Sequence, residues 1–172
     1  MDIYVISADE LLWAGVLVAI TMSIHGVSMF AILGANQAVR ERFAPIESFA
    51  GGLAIVVVAS LLITSTNVIE VGMWALFFVW NDAQPGFSTA FYNALLNFTT
   101  LQAGYLPQRW HLLEAGLGMA GMLTVAWSTG ILYMLAQEFQ DTQMQVRKRR
   151  RGGGSDTARG HDAMPPKSGG RD

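Results

Sequence analysis

The sequence predicts an all-α membrane protein with three transmembrane helices and a short re-entrant helix before the last of them. Three observations predict this class. Hydrophobic residues make up 52% of the 172 residues, and charged residues only 14%. Three apolar stretches are each long enough to cross a hydrocarbon core about 30 Å thick, which needs roughly 20 residues of helix. A shorter apolar stretch lies between the second and the third.

The three predicted spans are residues 11–34, 49–80 and 111–136. Each carries an ionisable side chain among apolar residues, namely His25, Glu70 and Glu114. Because an ionisable group inside a membrane is costly, each is a candidate functional residue. Counted from the outer ends of the spans, His25 lies deeper than Glu70, so we expect no direct pairing and assign His25 to helix packing.

The distribution of basic residues predicts the orientation. Eight of the 11 Lys and Arg residues follow residue 140, and Arg40 and Arg42 lie between the first two spans. Positive charge is enriched in cytoplasmic segments, so both places are predicted to be cytoplasmic and the N-terminus external. The tryptophans predicted to lie near the outer boundary, where indoles are enriched, are Trp13, Trp80 and Trp110.

These predictions divide the chain into three parts. Residues 1–10 form an extracytoplasmic N-terminus, residues 11–137 a membrane domain, and residues 138–172 a basic cytoplasmic tail. The tail is rich in Gly and Pro after residue 151 and lacks apolar periodicity, so it is predicted to be largely disordered. The cluster that we expect to contact anionic lipid headgroups or to fix the topology is Arg147, Lys148, Arg149, Arg150 and Arg151.

The apolar stretch within the segment 85–108 is too short to be a span. Pro85 and Gly86 interrupt the chain, and Ser88 is a candidate N-cap for a helix that ends near Thr99. An apolar stretch of about 10 to 14 residues is typical of a re-entrant segment. Irregular backbone at membrane depth occurs only where it is buried in protein or lines a water-filled cavity, so the loop after this helix is predicted to line a pore.

The residues of this region resemble those of bacterial potassium-channel-like proteins. The stretch "AFYNALLNFTTLQAG" is similar to the pore helix and filter entrance of that family, and "NVIEVGMWALFF", "RWHLLEAGLGMAG" and "WSTGILYML" are similar to its flanking spans. The resemblance covers about half of the chain. It implies a homotetramer in the bacterial inner membrane, with four pore loops around a central path for a monovalent cation, K⁺ or Na⁺.

The expected filter departs from the family pattern T-T-L-G-Y-G-D. The aligned residues, which are the expected ion filter, are Thr99, Thr100, Leu101, Gln102, Ala103, Gly104 and Tyr105. Only the second glycine remains, as Gly104. A carbonyl-lined filter needs glycine where the backbone is left-handed, and Gln102 would cost about 1–2 kcal/mol there. The resemblance therefore does not imply potassium selectivity. Three outcomes stay open: a wider, less selective cation pore, a pore lined by Gln102 side chains, or a collapsed loop that does not conduct.

Other residues are assigned by their place relative to this loop. Glu70 and Glu114 are expected to support the filter, as hydrogen-bonding acids behind the pore helix or as a clamp on its backbone. Gly121, in the last span, is the candidate gating hinge that the resemblance implies. The same span is rich in small residues, a pattern that lets helices approach closely.

Several function classes are not indicated. The chain has no Cys, which excludes thiolate metal sites and cysteine nucleophiles. No nucleophile–base pair or cluster of metal ligands is visible in the sequence, so we expect no enzyme, no cofactor and no metal site. A nucleic-acid partner is not expected either. The alternative to a cation channel is a channel-derived membrane subunit that does not conduct and has a structural or sensory role.

Overall fold

The computed structural model describes residues 6–42, 49–101, 104 and 106–161. These residues form four α-helices. They are α1 (Ala8–Arg42), α2 (Phe49–Trp80), α3 (Phe87–Phe98) and α4 (His111–His161), and a short 3₁₀ turn, Gln108–Trp110, leads into α4.

Three of these helices, α1, α2 and α4, are long and apolar enough to cross a membrane. Length and composition therefore support a membrane protein, and the prediction of three apolar spans is confirmed at that level. The second predicted span matches α2 in both bounds. Helix α1 extends beyond both ends of the stretch 11–34, because polar residues can continue a helix once its first turn has formed.

The three long helices form a bundle in which α2 runs antiparallel to α1 and α4. At one end, the backbone N–H of Leu112 donates to Glu10 Oε1 at 3.4 Å, and Trp13 packs on Phe77 with ring centroids 5.3 Å apart. At the other end, Phe49 of α2 meets Phe139 of α4 at 5.5 Å. The starts of α1 and α4 and the end of α2 therefore lie together.

Two groups of buried apolar residues hold the bundle together. The larger group lies at the end that contains Trp110 and includes the fully buried Trp74 and Phe78 of α2 and Leu113 of α4. The smaller group lies towards the other end and centres on Met29, which is 1% exposed. Helix α3 packs only into the larger group, so its position depends on the packing at that end.

Many hydroxyl groups in the spans are satisfied within their own helices. In most cases the hydroxyl donates to the carbonyl four residues earlier, at 2.8–3.1 Å. This arrangement lets a serine or threonine lie in apolar surroundings without an unpaired donor. The residues that do so are Thr21, Ser23, Ser60, Thr64, Ser65, Thr66 and Thr129.

Two helix ends differ from the sequence-based expectation. Helix α3 begins at Phe87 with Gly86 as its N-cap and no side-chain cap, so the assignment of Ser88 as the N-cap is wrong. Helix α4 continues to His161, so the prediction of disorder is wrong for residues 152–161. Propagating an existing helix costs less than nucleating one. The rest of the tail, 162–172, lies outside the described residues.

Candidate functional site

The candidate site is the C-terminal end of α3 together with the loop that follows it. Helix α3 has 12 residues, about 18 Å of helix, and packs against α2 and α4. Glycines of α4 permit this packing. A Cβ at Gly118 would lie 3.3 Å from the carbonyl oxygen of Asn97, and a Cβ at Gly121 would overlap the carbonyl oxygen of Phe98. The two backbones therefore meet where α3 ends.

This meeting point lies well inside the apolar part of α4. Gly121 is about ten residues from the start of α4 at His111, or roughly 15 Å along the helix axis. The hydrocarbon core of a bilayer is about 30 Å thick. The end of α3 is thus held near the middle of the apolar length of α4, although α3 starts close to the end of α2.

The end of α3 has the hydrogen bonds of a Schellman motif. The N–H of Leu101 donates to the carbonyl of Leu96 at 2.8 Å, and the N–H of Thr100 donates to that of Asn97 at 2.9 Å. This motif requires a left-handed residue, which is usually glycine. Here it is Thr100, with φ 64°. A β-branched residue is rarely found in this conformation, and the cost is about 1–2 kcal/mol.

Thr99 presents an oxygen at the same point. Its hydroxyl donates to the carbonyls of Leu95 and Leu96, at 2.9 and 3.1 Å. Because the hydrogen is used within α3, the hydroxyl oxygen is left as an acceptor. Thr99, Thr100 and Leu101 are all exposed, and Leu101 is 70% exposed. The described part of the chain therefore leaves the end of α3 uncovered.

The expected filter residues are only partly described. Thr99, Thr100, Leu101 and Gly104 are described, and they lie at and just after the end of α3. Gly104 has φ +62° with open space around it, a conformation that glycine adopts at little cost. The remaining expected filter residues, Gln102, Ala103 and Tyr105, lie outside the described residues.

Glu114 holds the loop on its way back to α4. Its Oε1 accepts the backbone N–H of Leu106 at 2.8 Å, and Leu106 is itself buried in the core around Trp110. The carboxylate also lies in the first turn of α4, where the helix dipole favours negative charge. Glu114 therefore binds the backbone of the loop after the filter segment, whereas the sequence predicted a clamp on the backbone of the pore helix.

Glu70 has a different partner from the one expected. Its Oε1 lies 3.0 Å from Nδ1 of His25, and both side chains are fully buried. The expectation that His25 lies too deep to reach Glu70 is wrong. The carboxyl group is held between α1 and α2, because α1 extends past the end of α2 and brings His25 to the level of Glu70.

Sequence reasoning missed the third member of this cluster. The hydroxyl of Ser128 on α4 lies 3.1 Å from Nε2 of His25. It also missed the neighbouring bond from Trp74 Nε1 to Thr21 Oγ1, at 2.9 Å. A spacing of four residues, Thr21 to His25 on α1 and Glu70 to Trp74 on α2, is the one signal in the sequence that places these polar groups on facing sides.

Gly121 lies within a continuous helix, since α4 runs unbroken from His111 to His161. Its backbone carbonyl accepts the hydroxyl of Thr124 at 2.9 Å. The structure thus gives Gly121 a role in the close approach of α3 and α4. The hinge role stays a prediction. In the basic cluster, Arg147 and Lys148 are exposed, and the side chains of residues 149–151 lie outside the described part of the chain.

Comparison with protein-family models, with curated proteins and with solved structures gives no match. The chemistry of the site therefore rests on the geometry alone. Within the described residues, no three His, Asp or Glu side chains come together in a way that holds a metal ion. What the end of α3 offers is oxygen: exposed threonines and the carbonyl end of a helix, inside an apolar bundle.

Proposed function

We propose that this protein is a subunit of a homotetrameric channel for monovalent cations, in which each copy contributes α3 and its loop to one central pore. The observation that carries the proposal is the uncovered end of α3 near the middle of the apolar length of α4. Backbone at that depth must be buried in protein or face a water-filled cavity. Four copies around an axis would supply both the cover and the cavity.

The electrostatics of this end favour a cation. The C-terminus of a helix carries about half a negative charge, so four such ends aimed at one axis would stabilise a positive ion between them. The Thr99 hydroxyl oxygen and the backbone carbonyls at the end of α3 are hard oxygen ligands of the kind that replace ion hydration in filters. The resemblance to potassium-channel-like proteins supports the same arrangement.

The proposal does not include selectivity for K⁺ over Na⁺. Gln102 and Ala103 stand where the family has glycine and tyrosine, so the resemblance does not extend to potassium selectivity. The orientation proposed is an external N-terminus and a cytoplasmic C-terminus in a bacterial inner membrane, based on the positive-inside rule. Anionic lipid at the basic cluster after α4 belongs to the same proposal.

Flux measurements on purified protein test this function. The tetramer is first verified in detergent, then reconstituted in liposomes and assayed for K⁺, Na⁺ and chloride flux. We expect cation flux without chloride flux. In Thr99→Val, loss of one oxygen in each copy is expected to raise the barrier by at least about 1.4 kcal/mol, which is a tenfold fall in flux.

A matched control separates this effect from general damage. Thr64 of α2 is also exposed and also donates its hydroxyl to the carbonyl four residues earlier, at 2.9 Å, but it is not part of the segment proposed to line the pore. Thr64→Val is expected to conduct like the wild type. A verified tetramer that passes no ion across pH and voltage would overturn the proposal in favour of a non-conducting structural or sensory subunit.

A further inference from the structure

A buried polar cluster joins the three long helices inside the apolar bundle. It consists of His25 of α1, Glu70 of α2 and Ser128 of α4, and we refer to it as the His25 cluster. Nδ1 of His25 is 3.0 Å from Glu70 Oε1, and Nε2 is 3.1 Å from Ser128 Oγ. His25 and Glu70 are 0% exposed and Ser128 is 6% exposed. Both ring nitrogens therefore have a partner.

One oxygen of the cluster has no donor. Glu70 Oε2 is buried and lacks a hydrogen-bond partner among the described residues. A buried carboxylate oxygen without a donor is unfavourable, whereas a bound proton removes the charge that makes it so. The buried pair of Glu70 and His25 therefore contains one unsatisfied hydrogen-bond acceptor, Oε2 of Glu70.

The surroundings contain few other ionisable groups. Glu70 is the one charged residue of α2, and α3 has none. On α1 the nearest ionisable groups to His25 are Glu10 and Arg40, each about four turns away. On α4 the ionisable groups that flank Ser128 are Glu114 and Tyr133, and Tyr133 is exposed. The charge of the His25 cluster is therefore set mainly by its own two titratable members.

Addition of one proton to this pair changes the bond to Ser128. With a neutral imidazole that donates from Nδ1 to Glu70, Nε2 accepts the Ser128 hydroxyl hydrogen. If the added proton binds at Nε2, that nitrogen becomes a donor and the Ser128 oxygen must accept. If it binds at the carboxyl group, the acid becomes neutral. Because the two groups are coupled, the proton belongs to the pair.

We propose that the His25 cluster is a proton-binding site within the membrane domain, which takes up one proton from water as the pH falls and thereby changes the hydrogen bonds that join α1 to α2 or to α4. The ligand is a proton rather than a metal ion, because the cluster supplies only two metal-binding side chains. The proposal does not depend on ion conduction. It goes beyond the proposed pore, whose residues lie at the end of α3 and in the loop that follows it.

Trp127 provides a direct readout of this site. Its ring centroid lies 6.0 Å from that of His25, and its ring also packs on Gly26. An imidazolium so close to an indole interacts with its π-system, so the fluorescence of Trp127 should change when the pair takes up a proton. The Trp127 contribution is obtained as the difference between the wild type and Trp127→Phe, because the chain has five tryptophans.

The experiment is a pH titration of this difference signal in protein reconstituted in lipid nanodiscs and equilibrated at each pH. We expect one reversible transition in the wild type and its loss in His25→Gln and in Glu70→Gln. His111→Gln is the matched control, since His111 lies at the start of α4, about 25 Å along the helix from Ser128. It should keep the transition.

A second measurement covers the case in which a cluster variant fails to fold. In wild-type protein labelled with ¹⁵N-histidine, the ring-nitrogen signals of His25 report its protonation directly, and His111→Gln and His161→Gln identify the other two histidines. A Trp127 signal and His25 ring signals that do not change with pH would overturn the proposal. So would a transition that persists in His25→Gln.

Discussion

The left-handed Thr100 predicts an unusual result: removal of a side chain should stabilise the protein. Thr100 occupies the position in the Schellman motif of α3 that normally requires glycine, with φ 64°. Its side chain is exposed, and no partner for its hydroxyl is found among the described residues. Thr100→Gly therefore loses no side-chain hydrogen bond within the described part of the chain.

The size of the effect follows from two opposing contributions. A left-handed conformation costs an L-residue about 1–2 kcal/mol, which glycine avoids. Glycine loses more backbone freedom on folding, which costs roughly 0.5–1 kcal/mol. The net expectation is that Thr100→Gly raises the free energy of unfolding by roughly 0.5–1 kcal/mol per subunit.

A second left-handed residue in the chain supplies the control. Asp82 lies two residues after the end of α2 with φ 53°, and the N–H of Ala83 donates to the carbonyl of Phe78 at 2.8 Å as in the motif of α3. Aspartate tolerates this conformation better than a β-branched residue. Asp82→Gly should therefore gain less than Thr100→Gly.

The assay is chemical unfolding in detergent at fixed protein concentration, followed by far-ultraviolet circular dichroism. Flux is measured on the same variants in liposomes. If Thr100 is held in a strained conformation because its oxygens face the pore, the stabilised variant should conduct less well, as expected of strain stored at a functional site. A Thr100→Gly protein that is less stable than the wild type, or that gains no more than Asp82→Gly, would refute the reasoning.

Two further predictions concern α4. Gly121→Ala places a methyl group on the carbonyl oxygen of Phe98, so we expect a loss of about 1–3 kcal/mol in the unfolding assay. Gly130→Ala, with nothing near its Cβ, should leave the free energy of unfolding unchanged or raise it by up to about 1 kcal/mol. Equal effects of Gly121→Ala and Gly130→Ala would contradict the close approach of α3 and α4. Glu114→Ala leaves the Leu106 N–H without its acceptor and should cost about 1–3 kcal/mol and speed its hydrogen exchange, whereas Glu114→Gln keeps an acceptor and should cost less. Identical exchange in the two variants would argue against the clamp.

Hydropathy and turn chemistry predicted the main elements because both act locally. The length of α2 follows from its long and mainly apolar sequence, and the break before α3 follows from Pro85 and Gly86, which do not continue a helix. The Thr99 end of α3 was predicted within one residue. The left-handed Thr100 could not be predicted from the sequence, since threonine has no preference for that conformation.

The pairing of His25 with Glu70 could not be predicted, because it depends on how two helices align along their length. Counting from the helix ends assumed that the start of α1 and the end of α2 are level. The observed pairing requires α1 to extend about 10 Å past that end. The alignment is fixed by contacts such as Trp74 with Thr21, and hydropathy gives no information on which side chains face each other.

Helix α4 links the two polar features of the bundle. Gly121, which meets the end of α3, and Ser128, which meets His25, are seven residues apart and so lie on one face of the helix. Thr124 lies between them, fully buried, and its hydroxyl is bonded to the carbonyl of Gly121. Because the contact at Gly121 leaves no free space, a shift of α4 that follows a change at Ser128 must also displace the end of α3. Protonation of the His25 cluster would then change the geometry of the proposed pore, because both depend on the position of α4.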